Sequence, residues 1–162
     1  MDSRDYYNAI SKGYEKLHSE EQQAKAKIIV EEIKLNNYSK LLDVGCGSGI
    51  SMQPFKCKKI GVDNSEELLK LNPYPTIKAE AENLPFDNDR FDIVICITAL
   101  HNFNNPKKAL QEMIRVCKNR VVISLLKKTP RFKNLKRLIS ESFKIDKIID
   151  ESKDKIFFLS LK

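Results

Sequence analysis

The stretch LLDVGCGSGI, Leu41 to Ile50, decides how the rest of the chain is read. Leu41, Leu42 and Val44 form a short apolar run of the kind that makes a buried parallel strand, and Gly45, Gly47 and Gly49 follow at every second position. This is a strand feeding a glycine turn. Glycine lacks Cβ, so such a turn takes positive φ and lets a ligand lie against bare backbone, while the helix behind it aims its first amides at that ligand. The spacing is GxGxG, unlike the GxGxxG of dinucleotide sites, and Asp43 stands two residues before the first glycine. Strand-to-helix turns also use glycine for packing alone, so the cluster takes its meaning from its surroundings.

Asp63 ends a second apolar run, Lys59 to Val62. In a doubly wound sheet the ends of the first two strands are neighbours at the ligand crevice, where an acid can accept from both hydroxyls of a ribose. The segment AEAENLPF, residues 79 to 86, follows a third short strand at Thr76 to Lys78. It brings Glu80 and the Ala81 amide beside the first two turns, where a carboxylate can accept from an adenine amino group. FDIVICITALHNF comes next, and Phe91 to Ile97 reads as the fourth strand.

In this order and at these intervals, LLDVGCGSG, GVDNS, AEAENLPF, FDIVICITALHNF and NPKKALQEMIRV resemble the class I S-adenosylmethionine-dependent methyltransferases, in their broad branch of small methyltransferase domains. The match covers roughly residues 38 to 127. The resemblance implies an enzyme that converts S-adenosyl-L-methionine to S-adenosyl-L-homocysteine. It implies an α/β fold, a doubly wound and mostly parallel seven-stranded sheet with a C-terminal antiparallel hairpin and helices on both faces. Carried over position by position, Gly45 and Gly47 pass under the methionine part of the cofactor, with Cys46 and Gly49 in the same cofactor-binding turn, and Asp43 steers its ammonium. Asp63, with Asn64 beside it, holds the ribose, Glu80 and Ala81 read adenine, and Ile97 and Tyr14 complete the cofactor set. Two departures stand out. Glu80 replaces the more usual Asp, and RVCKNRVV, Arg115 to Val122, lacks the glycine pair that normally leads into the fifth strand.

At 162 residues, 41% hydrophobic and 31% charged, the chain has the size and balance of one globular domain with its own core. One methyltransferase domain over residues 1–162 is expected, with a lid and covering helix in 1–34 and a Rossmann-like core in 38–162. The four cysteines, Cys46, Cys57, Cys96 and Cys117, form no CxxC pair, and His18 and His101 are the two histidines. That pattern argues against a metal site and for a reducing cytoplasm. The first residues are too charged for a signal peptide, and no apolar run reaches membrane-span length.

Tyr6 to Lys34 reads as helix with a break near Gly13. Ile28, Ile29 and Ile33 supply an apolar stripe, and Tyr6, Tyr7 and Tyr14 cluster in a segment resembling the family's mobile lid. A short helix broken by Pro54 follows the glycine turn. Ser65 then caps a helix to about Leu71, Asn104 or Asn105 opens a helix over Lys107 to Cys117, and Arg120 to Leu126 is the fifth strand. Arg131 to Phe143 reads as helix, and Ile145 to Ile149 with Lys155 to Leu161 as a closing hairpin.

The net charge of +7 comes from one block. Residues 113–140 carry nine Lys and Arg and no acid, while the rest of the chain is close to neutral. Lys127, Lys128, Arg131 and Lys133 follow the fifth strand, on the face where the cofactor is expected, and a basic rim there suits a polyanion, RNA before DNA. A lysine-rich solvated helix reads the same way. The sulfonium is already activated, so transfer needs alignment, plus a base where the acceptor carries a proton. Thr98, His101 and Asn102, at the end of the fourth strand, are the catalytic candidates, with His101 as acceptor contact or base. Three readings follow. One is an RNA-modifying methyltransferase, with the small zinc-containing activator subunit that the resemblance suggests; another is a small-molecule methyltransferase; the third is a non-catalytic cofactor-binding partner.

Overall fold

The computed structural model describes the backbone of residues 3–162 and the side chains of residues 13 and 15–162. The expectations for Tyr6, Tyr7 and Tyr14 fall on side chains outside that set. Seven strands form one sheet: β1 (Lys40–Val44), β2 (Lys58–Asp63), β3 (Thr76–Lys78), β4 (Phe91–Ile97), β5 (Cys117–Leu126), β6 (Phe143–Asp150) and β7 (Asp154–Leu161). Their order is β3-β2-β1-β4-β5-β7-β6, parallel from β3 to β5 and antiparallel from β5 through β7 to β6. This is the expected doubly wound sheet with its antiparallel hairpin.

Both faces of the central strands are covered, so their sequences are largely apolar. Along β4, Ile93, Ile95 and Ile97 pack in one core layer and Val94 and Cys96 in the other, the period-two alternation of a strand. The first layer lies under α1 (Ser3–Glu32), which buries Ala26 and Ile29 against it, with Ile33 just past its end. The second lies under α3 (Pro106–Val116) and α4 (Phe132–Ser142), where Leu110, Met113, Leu135 and Ile139 are fully buried. A short α2 (Glu66–Leu71) is capped by Ser65, whose Oγ accepts from the Leu68 amide at 3.3 Å. Asn105 caps α3, accepting from the Lys108 amide at 3.1 Å, with Pro106 in the first turn.

Three local expectations are corrected. The break near Gly13 does not occur, and α1 runs through it as one helix of 30 residues. A lone glycine costs a helix only about 1 kcal/mol relative to alanine, too little to stop one whose later turns are anchored on the sheet. After the glycine turn there is a single 3-10 turn, Ile50–Met52, instead of a broken helix. Gly49 at φ 88 on one side and Pro54 on the other leave room for no more. Finally, α3 enters β5 with no connecting turn. The Cys117 amide still bonds the Ile114 carbonyl while Cys117 already pairs with Phe91, and a bulge follows before Ile93 meets Arg120. That bulge takes up the slack that a glycine pair would otherwise provide.

Candidate functional site

The strand order reverses between β1 and β4, and the loops leaving their carboxyl ends diverge there to leave a crevice. It holds a cavity of about 590 Å³, a size suited to a cofactor-scale molecule. The glycine turn is its floor. Gly45 has φ +81, and a Cβ added there would lie 2.6 Å from Ala99 Cβ, so the turn after β1 and the turn after β4 touch only because Gly45 is bare. Gly47, at φ +51, also lines the cavity, and a Cβ added there would meet only Leu68 within 4 Å.

Asp63 ties the ends of β1 and β2 together. Its Oδ2 accepts from the Gly47 amide and its Oδ1 from the Ser65 amide, each at 2.9 Å, so the acid shapes the turn as well as facing the cavity. On the outer side Asn72 donates to the Gly47 carbonyl at 3.1 Å and accepts from the Tyr74 amide at 2.9 Å. The sequence reading missed this brace, although an Asn next to a proline is a turn signal. Asn64 reaches Glu80 at 3.4 Å across the mouth, and both line the cavity with Ala81.

Asp43 lies behind the turn, outside the lining, and is fully buried. Ser51 Oγ donates to its Oδ2 at 2.9 Å, while Oδ1 is buried without a partner. Burial pushes this carboxyl up to about 7, against the Ser51 hydrogen bond. Burial likewise pushes the thiols of Cys46 and Cys96 well above the ordinary range, so neither is a thiolate nucleophile at neutral pH.

At the end of β4, Ile97, Thr98 and Asn102 line the cavity, and His101 does not. The 3-10 turn Leu100–Asn102 rotates its side chains apart, leaving Asn102 at the cavity and His101 behind it. His101 Nδ1 is buried without a partner. Burial lowers the imidazole's basicity, with the charge of Asp154 opposing and those of Arg131 and Lys25 reinforcing. The opposite wall is one face of α1, Glu15, His18, Ser19 and Gln22, at helical spacing. None of these four was among the site residues expected from the sequence, because a polar stripe on a helix looks the same facing solvent or a cavity.

Two members of the expected basic rim are committed to the protein itself. Arg131 Nη1 donates to the carbonyls of His101 at 2.8 Å and Phe103 at 3.1 Å, clamping the loop after β4. Lys127 bonds the Glu151 carbonyl and pairs with Asp150 at 2.8 Å. Lys128 and Lys133 are exposed. Elsewhere in the block, Arg115 is held by Glu112 and by the carbonyls of Leu84 and Phe86, and Lys118 and Arg120 sit at the start of β5, the far end of the sheet. Among the described residues no group of three or more His, Cys, Asp or Glu is arranged to hold a metal ion. No described helix is long and apolar enough to cross a membrane.

A model of the methyltransferase domain family matches residues 42–125, from β1 through β5. Uncharacterized protein MJ1252 of Methanocaldococcus jannaschii is 34% identical over 125 residues, 74% of this chain and 49% of that protein. The demethylmenaquinone methyltransferase of Staphylococcus saprophyticus is 30% identical over 179 residues, 96% of this chain and 77% of that protein. The chain spans about half the length, or less, of MJ1252 and two other curated relatives at 34–38% identity. Among solved structures, a SAM-dependent methyltransferase from Aquifex aeolicus shares the fold with a TM-score of 0.71 at 19% identity, over 85% of this chain and 89% of that one. A chain of the complex between the Haloferax volcanii Trm112 methyltransferase activator and the putative methyltransferase does so with a TM-score of 0.75 at 14% identity, over 99% and 98%. With the family model matched across β1 to β5 and the seven strands in this order, the chain belongs to the class I S-adenosylmethionine-dependent methyltransferases.

Proposed function

We propose that the protein transfers the methyl group of S-adenosylmethionine to a small neutral or cationic molecule. The observation that carries this reading is the charge of the cavity. Its described lining includes three carboxylates, Glu15, Asp63 and Glu80, and no Lys or Arg, in a protein whose net charge is +7. A phosphate-rich acceptor entering there would meet like charge. The likeness to a demethylmenaquinone methyltransferase, over 96% of this chain and 77% of that protein, favours the same class of acceptor.

The residues present fit the donor. Bare backbone at Gly47 accepts a close ligand, Asp63 and Glu80 offer acceptors for hydroxyl and amino groups, and the unpartnered Oδ1 of Asp43 supplies a buried acceptor behind the turn for an ammonium. When bound, S-adenosylmethionine supplies an electrophilic methyl on a sulfonium. The chain's task is then to hold donor and acceptor in line and to exclude water. Thr98 and Asn102 face the acceptor from β4, and Glu15 and His18 face it from α1. His101 supports the loop that carries Asn102.

Purified protein and labelled S-adenosylmethionine, incubated separately with a metabolite extract, a protein extract and total RNA, test the reading. Label is expected in the metabolite fraction, and label in RNA alone would overturn it. The RNA reading, with an activator subunit, draws on the Trm112-complex neighbour and on exposed Lys128 and Lys133. It requires RNA binding that falls steeply with salt once an activator is added.

A further inference from the structure

Lys25 of α1 and Asp154 at the start of β7 form an ion pair at 3.1 Å inside the protein, only 2% and 0% exposed. Both touch Thr98. The Thr98 hydroxyl donates to Asp154 Oδ2 at 2.6 Å and accepts from Lys25 Nζ at 3.0 Å. Gln22 Oε1 lies 3.2 Å away, and the Thr98 amide bonds both the carbonyl and the hydroxyl of Ser124, at 3.1 and 2.9 Å. Thr98 has φ 52, a conformation that strains a β-branched residue and that it keeps only where its surroundings dictate it.

A buried ion pair is an uncertain source of stability, since an apolar pair of similar volume serves as well or better. This pair nevertheless joins the two sides of the cavity. Lys25 lies one helical turn beyond Gln22, on the face of α1 that carries the wall residues Glu15, His18 and Ser19. Thr98 precedes Ala99, whose Cβ fills the space that Gly45 leaves open. We propose that Lys25 and Asp154 are positioning residues: through Thr98 they fix the α1 wall and the glycine-turn floor relative to each other, and so govern how long the methyl donor and its product are retained. This rests on the cavity being the S-adenosylmethionine site.

The test replaces the pair by apolar residues, Lys25→Met with Asp154→Leu, and follows melting temperature and the dissociation of labelled S-adenosylhomocysteine. Expected is a fold melting no lower than wild type, with product leaving about tenfold faster because a loosened supporting shell no longer holds the site. Thr98→Gly, which accepts φ 52 without strain but lacks the hydroxyl, keeps the measurement decisive should the double variant fail to fold. It should also release product faster, while Thr98→Ser retains wild-type dissociation. A folded double variant or Thr98→Gly with wild-type dissociation overturns the inference. Wild-type protein that binds neither S-adenosylmethionine nor S-adenosylhomocysteine removes the donor reading and this inference with it.

Discussion

Asp43 combines complete burial, one hydrogen bond and one empty acceptor, and each has a measurable consequence. Its carboxyl sits near 7 in the folded protein, against 3.8 for the free side chain. Between those values the folded state binds the extra proton, so the stability this gives is complete below about pH 4 and is lost as pH rises through 7. A bound ammonium favours the ionised form, so S-adenosylmethionine affinity should rise between about pH 6 and 8, and Asp43→Asn should flatten that rise. Calorimetry across this range checks it, and a flat wild-type profile would separate Asp43 from the donor. Asp63 acts differently, because it holds the Gly47 and Ser65 amides in addition to facing the ligand. Asp63→Ala should weaken S-adenosylmethionine binding by about 1–3 kcal/mol, and unchanged affinity in the same titration would remove it from the site.

At the scale of elements, α3 shows how a pattern becomes energy. Ala109, Leu110, Met113 and Val116 recur at helical spacing and are buried, so Leu110→Ala should cost about 2–5 kcal/mol in urea unfolding. The helix that carries them was legible in the sequence, as were the GxGxG turn, the limits of β3 and β4 and the Ser65 cap, because each is encoded by neighbours along the chain. Two features were not. Lys25 stands on the stripe that includes Ala26, Ile29 and Ile33, and Asp154 alternates with Ile156 and Phe158, so each interrupts an apolar face. Their meeting is a tertiary event between α1 and β7 that local spacing does not encode. His101 was preferred over His18 for a related reason. Strand alternation is lost once the chain turns at Thr98, and which side chain then faces the cavity depends on the 3-10 turn that follows.

For the whole molecule, the distribution of charge matters more than its sum. The basic block is one segment in sequence but several places in space, divided among a loop clamp, a hairpin contact, a helix surface and the far end of the sheet. The double change Lys128→Gln and Lys133→Gln should therefore leave S-adenosylmethionine affinity within about twofold of wild type, since neither residue lines the cavity and exposed charges are screened by salt. A larger loss, measured at moderate salt, would mean that the rim acts on the cavity after all.

The wall of the cavity facing β4 comes from a single helix that precedes the sheet in sequence and contributes no strand to it. On the proposed reading this helix meets the acceptor, the glycine turn with Asp63 and Glu80 meets the donor, and Thr98 and Asn102 stand between them. Exchange of residues 15–21 should leave the glycine turn, Asp63 and Glu80 untouched, provided Gln22 and Lys25 keep their places against Thr98 and Asp154. Such an arrangement would make the helix an interchangeable specificity cassette, in which substitution should redraw substrate range without refolding the scaffold that holds the methyl donor.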